Sequence, residues 1–465
     1  MQRAVAPRVG VLGGGAQGLA AALRLAQGGS RVTVIEREAH LGGLAAGFRV
    51  GPSALEKFYH HVFRTDTTFV RFAGELGLVD RLQWLHPDTS VLWQGRRASL
   101  DSPVDVLRFP FLPPVDRLRL AAGLAVLKAA PNERPFAGET AVAWIRRWMG
   151  PRVYEVLWQP LLRGKFGARA ESVAMSWFWS RVHERTPSLG YLRGGFQQFY
   201  DALGERVRTS GGTVLTGTTA TTLAVAGGEI LVDTVPTGSQ SATRPTPDEA
   251  ADQPPTGAQR HAFDQVLVTL PTRLFARLAQ GLSPAWLTRY PGPDHFWAHV
   301  VVLALDRPLT DVYWLNVNDP GFPFLVLAEH TNLMSAADYG GRHLVYLGNY
   351  VPAEHPLLHQ SDEDTLRQFL VALPRLRPDF DPTWVTQSWV FKAPDAQPIV
   401  TTDYLDRLPP HETPLPGVYL ANMAHVYPQD RGQNYSLRLG ERMAQRLLAT
   451  ARSRDTLRTA STTPV

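Results

Sequence analysis

RVGVLGGGAQGLAAALRLAQGGSRVTVIEREAHLGGL, residues 8–44, decides the fold. Val9, Val11 and Leu12 read as a buried strand, and Gly13, Gly15 and Gly18 give G-x-G-x-x-G at its end. Ala16 to Gln27 reads as a helix, and Val32 to Ile35 as a second strand that ends in Glu36 and Arg37. Each glycine has a separate task. The first allows the sharp strand-to-helix turn, the second lets backbone reach a pyrophosphate, and the third permits close helix packing. Ala16 and Gln17 open the helix, whose N-terminus faces the phosphate charge. Glu36 stands where a carboxylate accepts hydrogen bonds from ribose hydroxyls. A glycine-rich structural turn is the alternative, but strand, helix, second strand and terminal acid in one register favour a dinucleotide-binding βαβ unit.

Gly42, Gly43 and Leu44 follow that acid closely. The paired-glycine loop resembles the second signature of FAD-binding flavoproteins, and the resemblance implies FAD as cofactor.

The whole chain has 465 residues, 44% of them apolar, which predicts a globular protein of more than one domain. With no cysteine, disulfides, thiolate metal sites, cysteine nucleophiles and a cysteinyl-linked flavin are excluded; no metal is expected. Lys and Arg number 47 against 42 acids, a net +5 that suits an anionic cofactor, an anionic or lipid-like substrate, or an acidic membrane surface. Nucleic acid is not called for. The first strand begins almost at once, without a signal-peptide core, and the longest hydrophobic run, Leu120 to Leu127, is far short of a membrane span. The expectation is a cytoplasmic protein, soluble or peripheral to the inner face of the membrane.

After the opening unit, Thr67 to Arg185 reads as largely helical, with little strand signal. Thr213 to Leu215, Thr221 to Val225 and Glu229 to Val235 read as strands, Thr234 to His261 as a solvated loop, and Phe263 to Leu270 as a buried strand. A strand-rich block spans His295 to about Val400. Val418 to Ala421 and Asn434 to Leu448 form a last strand and helix, followed by a polar, frayed tail from Arg452. The final pair has no partner of its own and is expected to return to the first sheet.

Four segments together, the opening unit, Leu192-Arg193-Gly194-Gly195-Phe196, Phe263 to Pro271 and Gly417 to Asn422 with its helix, resemble flavoproteins of the protoporphyrinogen oxidase, amine oxidase, phytoene desaturase and UDP-galactopyranose mutase group. The likeness implies an α/β fold: a Rossmann-like FAD-binding domain interrupted in sequence (1–58, 191–290, 406–450), with a mixed substrate domain above the flavin ring. That second domain is expected to be mainly helical over 59–190 and β-rich over 291–405, with 234–261 a flexible loop and 451–465 a flexible tail. Tyr59 to Asp66 looks like a motif of the sugar-nucleotide mutases, with His61 on its first histidine and Arg64 in place of its second. Trp158 to Gly167 and Trp389 to Pro398 look more like the oxidases.

The resemblance brings His60 and His61 near the flavin, with His61 as proton donor or hydrogen-bond partner and Arg64 and Lys392 as further catalytic candidates. Asn422-Met423 stands where many relatives have Gly-Asp. Asp430, Gln433 and Asn434 open the last helix, either as caps or with the helix end aimed at the pyrimidine edge of the ring. Arg163 and Lys165 either complement a helix C-terminus or hold a substrate carboxylate or phosphate. Tyr313, His330 and Gln397 are candidates to line the substrate site. The activity implied is an FAD-dependent oxidoreductase; the alternatives are a redox-neutral flavin mutase and a flavin-binding protein without turnover.

Overall fold

The structure, a computed structural model, describes residues 6–238, 257–429 and 431–461, with side chains to residue 452. Its organising layer is a five-stranded parallel sheet in the order Thr213–Leu215, Arg31–Ile35, Arg8–Leu12, Gln265–Val268, Val418–Leu420. Start, middle and end of the chain thus share one Rossmann-like sheet, and the last strand does return to it. The Ala16–Gln27 helix, rich in Ala and Leu, packs against this sheet and against the final helix. Close approach is built in: Gly440 of the final helix has no room for a Cβ beside the Gln17 carbonyl.

A second, seven-stranded sheet runs Val385–Pro398, His295–Leu305, His343–Val351, Val326–Glu329, Trp314–Val317, Thr89–Trp93, Arg96–Ser99. Its central strands are buried on both faces. One face meets the core of the parallel-sheet region and the other is covered by the Asp362–Ala372 helix.

Four boundaries differ from the sequence reading. Leu82–Leu85, Thr89–Trp93 and Arg96–Ser99 are strands inside the stretch expected to be helical. Their hairpin turns on Gln94 and Gly95, both at positive φ (53° and 69°), and glutamine in place of the usual Asn or Asp hides the signal. Thr234 pairs with Gln259, the rest of Gln259–Phe263 with residues 230–233, and Val235 and Pro236 with Thr219 and Thr218, in a three-stranded antiparallel sheet, so the expected loop is shorter at both ends; residues 239–256 lie outside the described residues. Phe263 and Gln265 belong to different sheets. Between them Asp264 accepts hydrogen bonds from the Arg8 backbone and guanidinium at 2.8 Å each. Finally, the last helix runs Gln433–Ser461, well past Leu448.

Candidate active site

The phosphate turn is shaped by backbone constraints that only glycine meets. Gly13 sits at φ +111°, and a Cβ there would strike Thr269 Oγ1; a Cβ on Gly18 would overlap the Gly13 carbonyl. Gly15 differs, because nothing lies nearer to its Cβ position than Gly43 Cα at 4.0 Å. The helix that follows has no acid in its first turn and no side-chain cap, which leaves its N–H groups for an anion. Gly42 and Gly43, also at positive φ, fold back so that the Gly42 N–H donates to the Gly14 carbonyl at 2.9 Å. Glu36 fixes the turn it serves, accepting from the Gly14 N–H at 2.6 Å and the Glu38 N–H at 2.8 Å.

These elements open onto a cleft of about 2320 Å³ lined by Gly13, Glu36, Arg37, Gly43, Leu44, Lys392 and Asn422 among the expected residues. Sequence reading missed its far wall: Phe58, Thr218 to Thr222, Arg273 and Phe391. Arg273 is held by Asp395 at 2.5 Å, and Phe391 lies tilted against Phe48 with ring centroids 4.9 Å apart. No motif marks them. Gln17 is not on the cleft; it is buried, and its amide donates to the Ala421 carbonyl at 2.5 Å, bracing the first helix to the last strand.

At the start of the last helix the polar residues divide. Asn434 accepts from the Phe69 N–H at 3.0 Å and so fastens a neighbouring helix. Asn422 caps the next turn and donates to the Leu270 carbonyl at 3.0 Å, which makes it a structural pin at the cleft edge. Gln433 accepts from the Tyr200 hydroxyl at 2.5 Å, while its buried Nε2 has no acceptor among the described residues. Asp430 lies outside the described residues.

Two residues beyond Phe58 come the paired histidines. His60 donates from Nδ1 to the Phe58 carbonyl at 2.6 Å, and burial lowers its pKa to about 4. His61 Nδ1 meets the Tyr313 hydroxyl at 3.3 Å, its ring edge-on to Phe63, Tyr313 and Trp314. Burial, then Arg185 and Arg181, lower the His61 pKa to about 3, while burial raises that of Tyr313. Both are therefore neutral at pH 7. Arg185 is solvent-accessible, yet burial and the neighbouring Arg181 lower its pKa as well. Lys165 reaches the same neighbourhood, its Nζ 5.0 Å from the Trp177 ring and 5.3 Å from Tyr350, and Arg431 stacks on the same Tyr350 at 4.7 Å. Arg181 and Arg185 carry no motif and were not anticipated.

Other expected residues stand apart. Arg64 is exposed, its guanidinium 4.3 Å over Trp84, and Arg163 is exposed on its helix. Lys392 belongs to a strand that borders the cleft, but strand alternation turns its ammonium to the other face. There it donates to the Gln360 carbonyl at 3.0 Å beside Asp362. His330 is buried against Tyr339 at 2.7 Å within a tyrosine cluster around Glu56. Gln397 is fully buried and donates to the Pro398 carbonyl at 3.0 Å.

Residues 18–448 match the family described as flavin containing amine oxidoreductase. The chain belongs to that family. Its cofactor is FAD, and the glycine turn, the Glu36 carboxylate and the open helix N-terminus fit the dinucleotide. No curated protein matches the sequence. Among solved structures it is similar to a candidate protoporphyrinogen oxidase from Exiguobacterium sp. 255-15 (17% identity, 96% of this chain and 99% of that one, TM-score 0.73). It is also similar to reduced UDP-galactopyranose mutase (15% identity, 96% of each chain, TM-score 0.68) and to putrescine oxidase bound to putrescine (15%, 96% and 99%, TM-score 0.66). At these identities the likeness concerns the fold, which is that of FAD-dependent oxidoreductases. No helix among the described residues is long and apolar enough to cross a membrane.

Proposed function

We propose that this family member takes a hydride from a C–H or N–H bond of a small anionic substrate and delivers it to flavin N5. FAD supplies the electron-accepting chemistry, and the chain's side chains supply position, proton handling and charge. His61, held neutral, enters as a proton acceptor or hydrogen-bond partner rather than as a cationic acid, with Tyr313 orienting its ring. The spare Gln433 N–H and the N-terminus of the last helix favour negative charge at that end of the site.

One observation carries the substrate class. Arg185 and Arg181 both act on buried, neutral His61, and a carboxylate or phosphate there matches their charge whereas an ammonium adds to it. Anaerobic addition of carboxylate, phosphate-ester and amine panels to the FAD-loaded protein tests this. Bleaching of the oxidised flavin band by an anionic compound, reversed by oxygen, supports the proposal; bleaching by amines alone overturns the anionic assignment.

The second reading is a redox-neutral mutase of an anionic sugar nucleotide, favoured by the mutase-like Tyr59 to Asp66 segment and the same cations. Its mark is conversion only by dithionite-reduced protein, with no net change in flavin absorbance.

A further inference from the structure

Ten large hydrophobic side chains are exposed among the described residues, and five of them lie on one helical hairpin. Val104 and Leu107 are on its first helix, Pro103–Arg108, and Val115, Leu118 and Val126 on its second, Pro114–Ala129. Val115 and Leu118 are 66% and 62% exposed, more than any other large hydrophobic except Val371. Val115, Leu118, Ala122, Ala125, Val126 and Ala129 are all exposed and fall within an arc of about 100° around the helix. The opposite face, Leu120, Gly123 and Leu127, is buried, and this helix packs on the Met175–His183 helix. A helix apolar on both faces is ordinarily enclosed on both. This one is about 24 Å long, too short to span a bilayer of roughly 30 Å.

Charge surrounds the same face. Arg119 and Lys128 border the apolar arc, Arg108 ends the first helix, and Arg146 and Arg147 lead to Trp148, itself 58% exposed. Arg119 lies 4.0 Å from Asp116, and Arg147 pairs with Glu139 at 2.7 Å. Residues 96–152 hold ten Lys and Arg against five Asp and Glu, so this segment alone carries the chain's entire formal excess of +5.

We propose that the hairpin docks on the surface of an anionic lipid bilayer, its aliphatic arc in the acyl boundary and its arginines at the phosphates. A second copy is the poorer occupant, because a two-fold interface would set this cationic patch against itself. The hairpin is also joined to the chain stretch that carries Arg185: Lys128 Nζ donates to the His183 carbonyl at 3.0 Å and the Arg185 carbonyl at 2.5 Å.

The test is co-sedimentation of the full, FAD-loaded chain with vesicles of phosphatidylcholine alone or mixed equally with phosphatidylglycerol. Binding to the mixed vesicles is expected to be at least roughly tenfold stronger and to weaken with salt. The double variant Leu118→Glu, Val126→Glu should lower it roughly tenfold or more while keeping flavin absorbance. Val371→Glu, at a 74% exposed site on the Asp362–Ala372 helix, should leave it unchanged. Failure to bind the mixed vesicles, or equal loss with Val371→Glu, overturns the proposal. A solution dimer that Leu118→Glu dissociates overturns it in favour of a second copy.

Discussion

The phosphate turn and the cationic cluster around His61 are built on different principles. In the turn, backbone does the work, and φ values or contacts that no side chain tolerates single out Gly13 and Gly18. In the cluster, side chains do the work: His61, Tyr313 and the Arg181–Arg185 pair come from three separate stretches of chain, and any of them could be reached from another backbone position. Backbone-built sites leave spaced motifs in a sequence, and side-chain-built sites leave scattered residues.

The largest effect should come from Gly18→Val. Its side chain has no space beside the Gly13 carbonyl, so no FAD-containing protein is expected; recovery of yellow, soluble protein would show that the turn yields. His61→Ala should leave FAD content intact and slow anaerobic flavin reduction by roughly 10²–10⁴-fold, the range of a lost proton-transfer group. If FAD is lost instead, His61 belongs with the cradle.

Acid should separate the regions in another way. Burial lowers His330 to about 3 and His299 to about 4, against an ordinary 6.5, so as pH falls the unfolded chain binds these protons first. Their contribution is complete above pH 6.5 and lost on the way to pH 3–4, by about 1.4 kcal/mol per pH unit for each histidine. Urea unfolding at a series of pH values measures it, and a flat profile from 7 to 4 would mean that these rings are hydrated.

Glu36→Ala should weaken FAD binding by about 1.5–3 kcal/mol, the scale of hydrogen bonds to a charged group. Unchanged affinity would place the ribose elsewhere. The smallest effect belongs to Lys392→Ala: with the ammonium on the far side of the sheet, flavin reduction should stay within about twofold, where a catalytic amine would cost 10² or more.

How much was legible follows the same division. The first strand, the Ala16–Gln27 helix, the glycine turn, the FAD family and the returning last strand were all readable, because periodicity and glycine spacing are local. The Thr89–Ser99 hairpin was not, since its turn lacks the usual residues and its strands are completed only by pairing Thr89 to Leu92 with Trp314 to Val317. Likewise Lys392 and Arg64 looked catalytic from their motifs. Only strand alternation and the packing on Trp84 reveal where their charges lie.

The sharpest test is whether an anion binds beside the flavin. Benzoate and benzylamine share one ring and differ in charge, and either perturbs the oxidised flavin spectrum when it binds next to the isoalloxazine. Titration of the FAD-loaded protein should give a saturable difference spectrum with benzoate, weakened roughly tenfold in Arg185→Met, and none with benzylamine. Perturbation by benzylamine alone would contradict the cationic cluster around His61 as the substrate site.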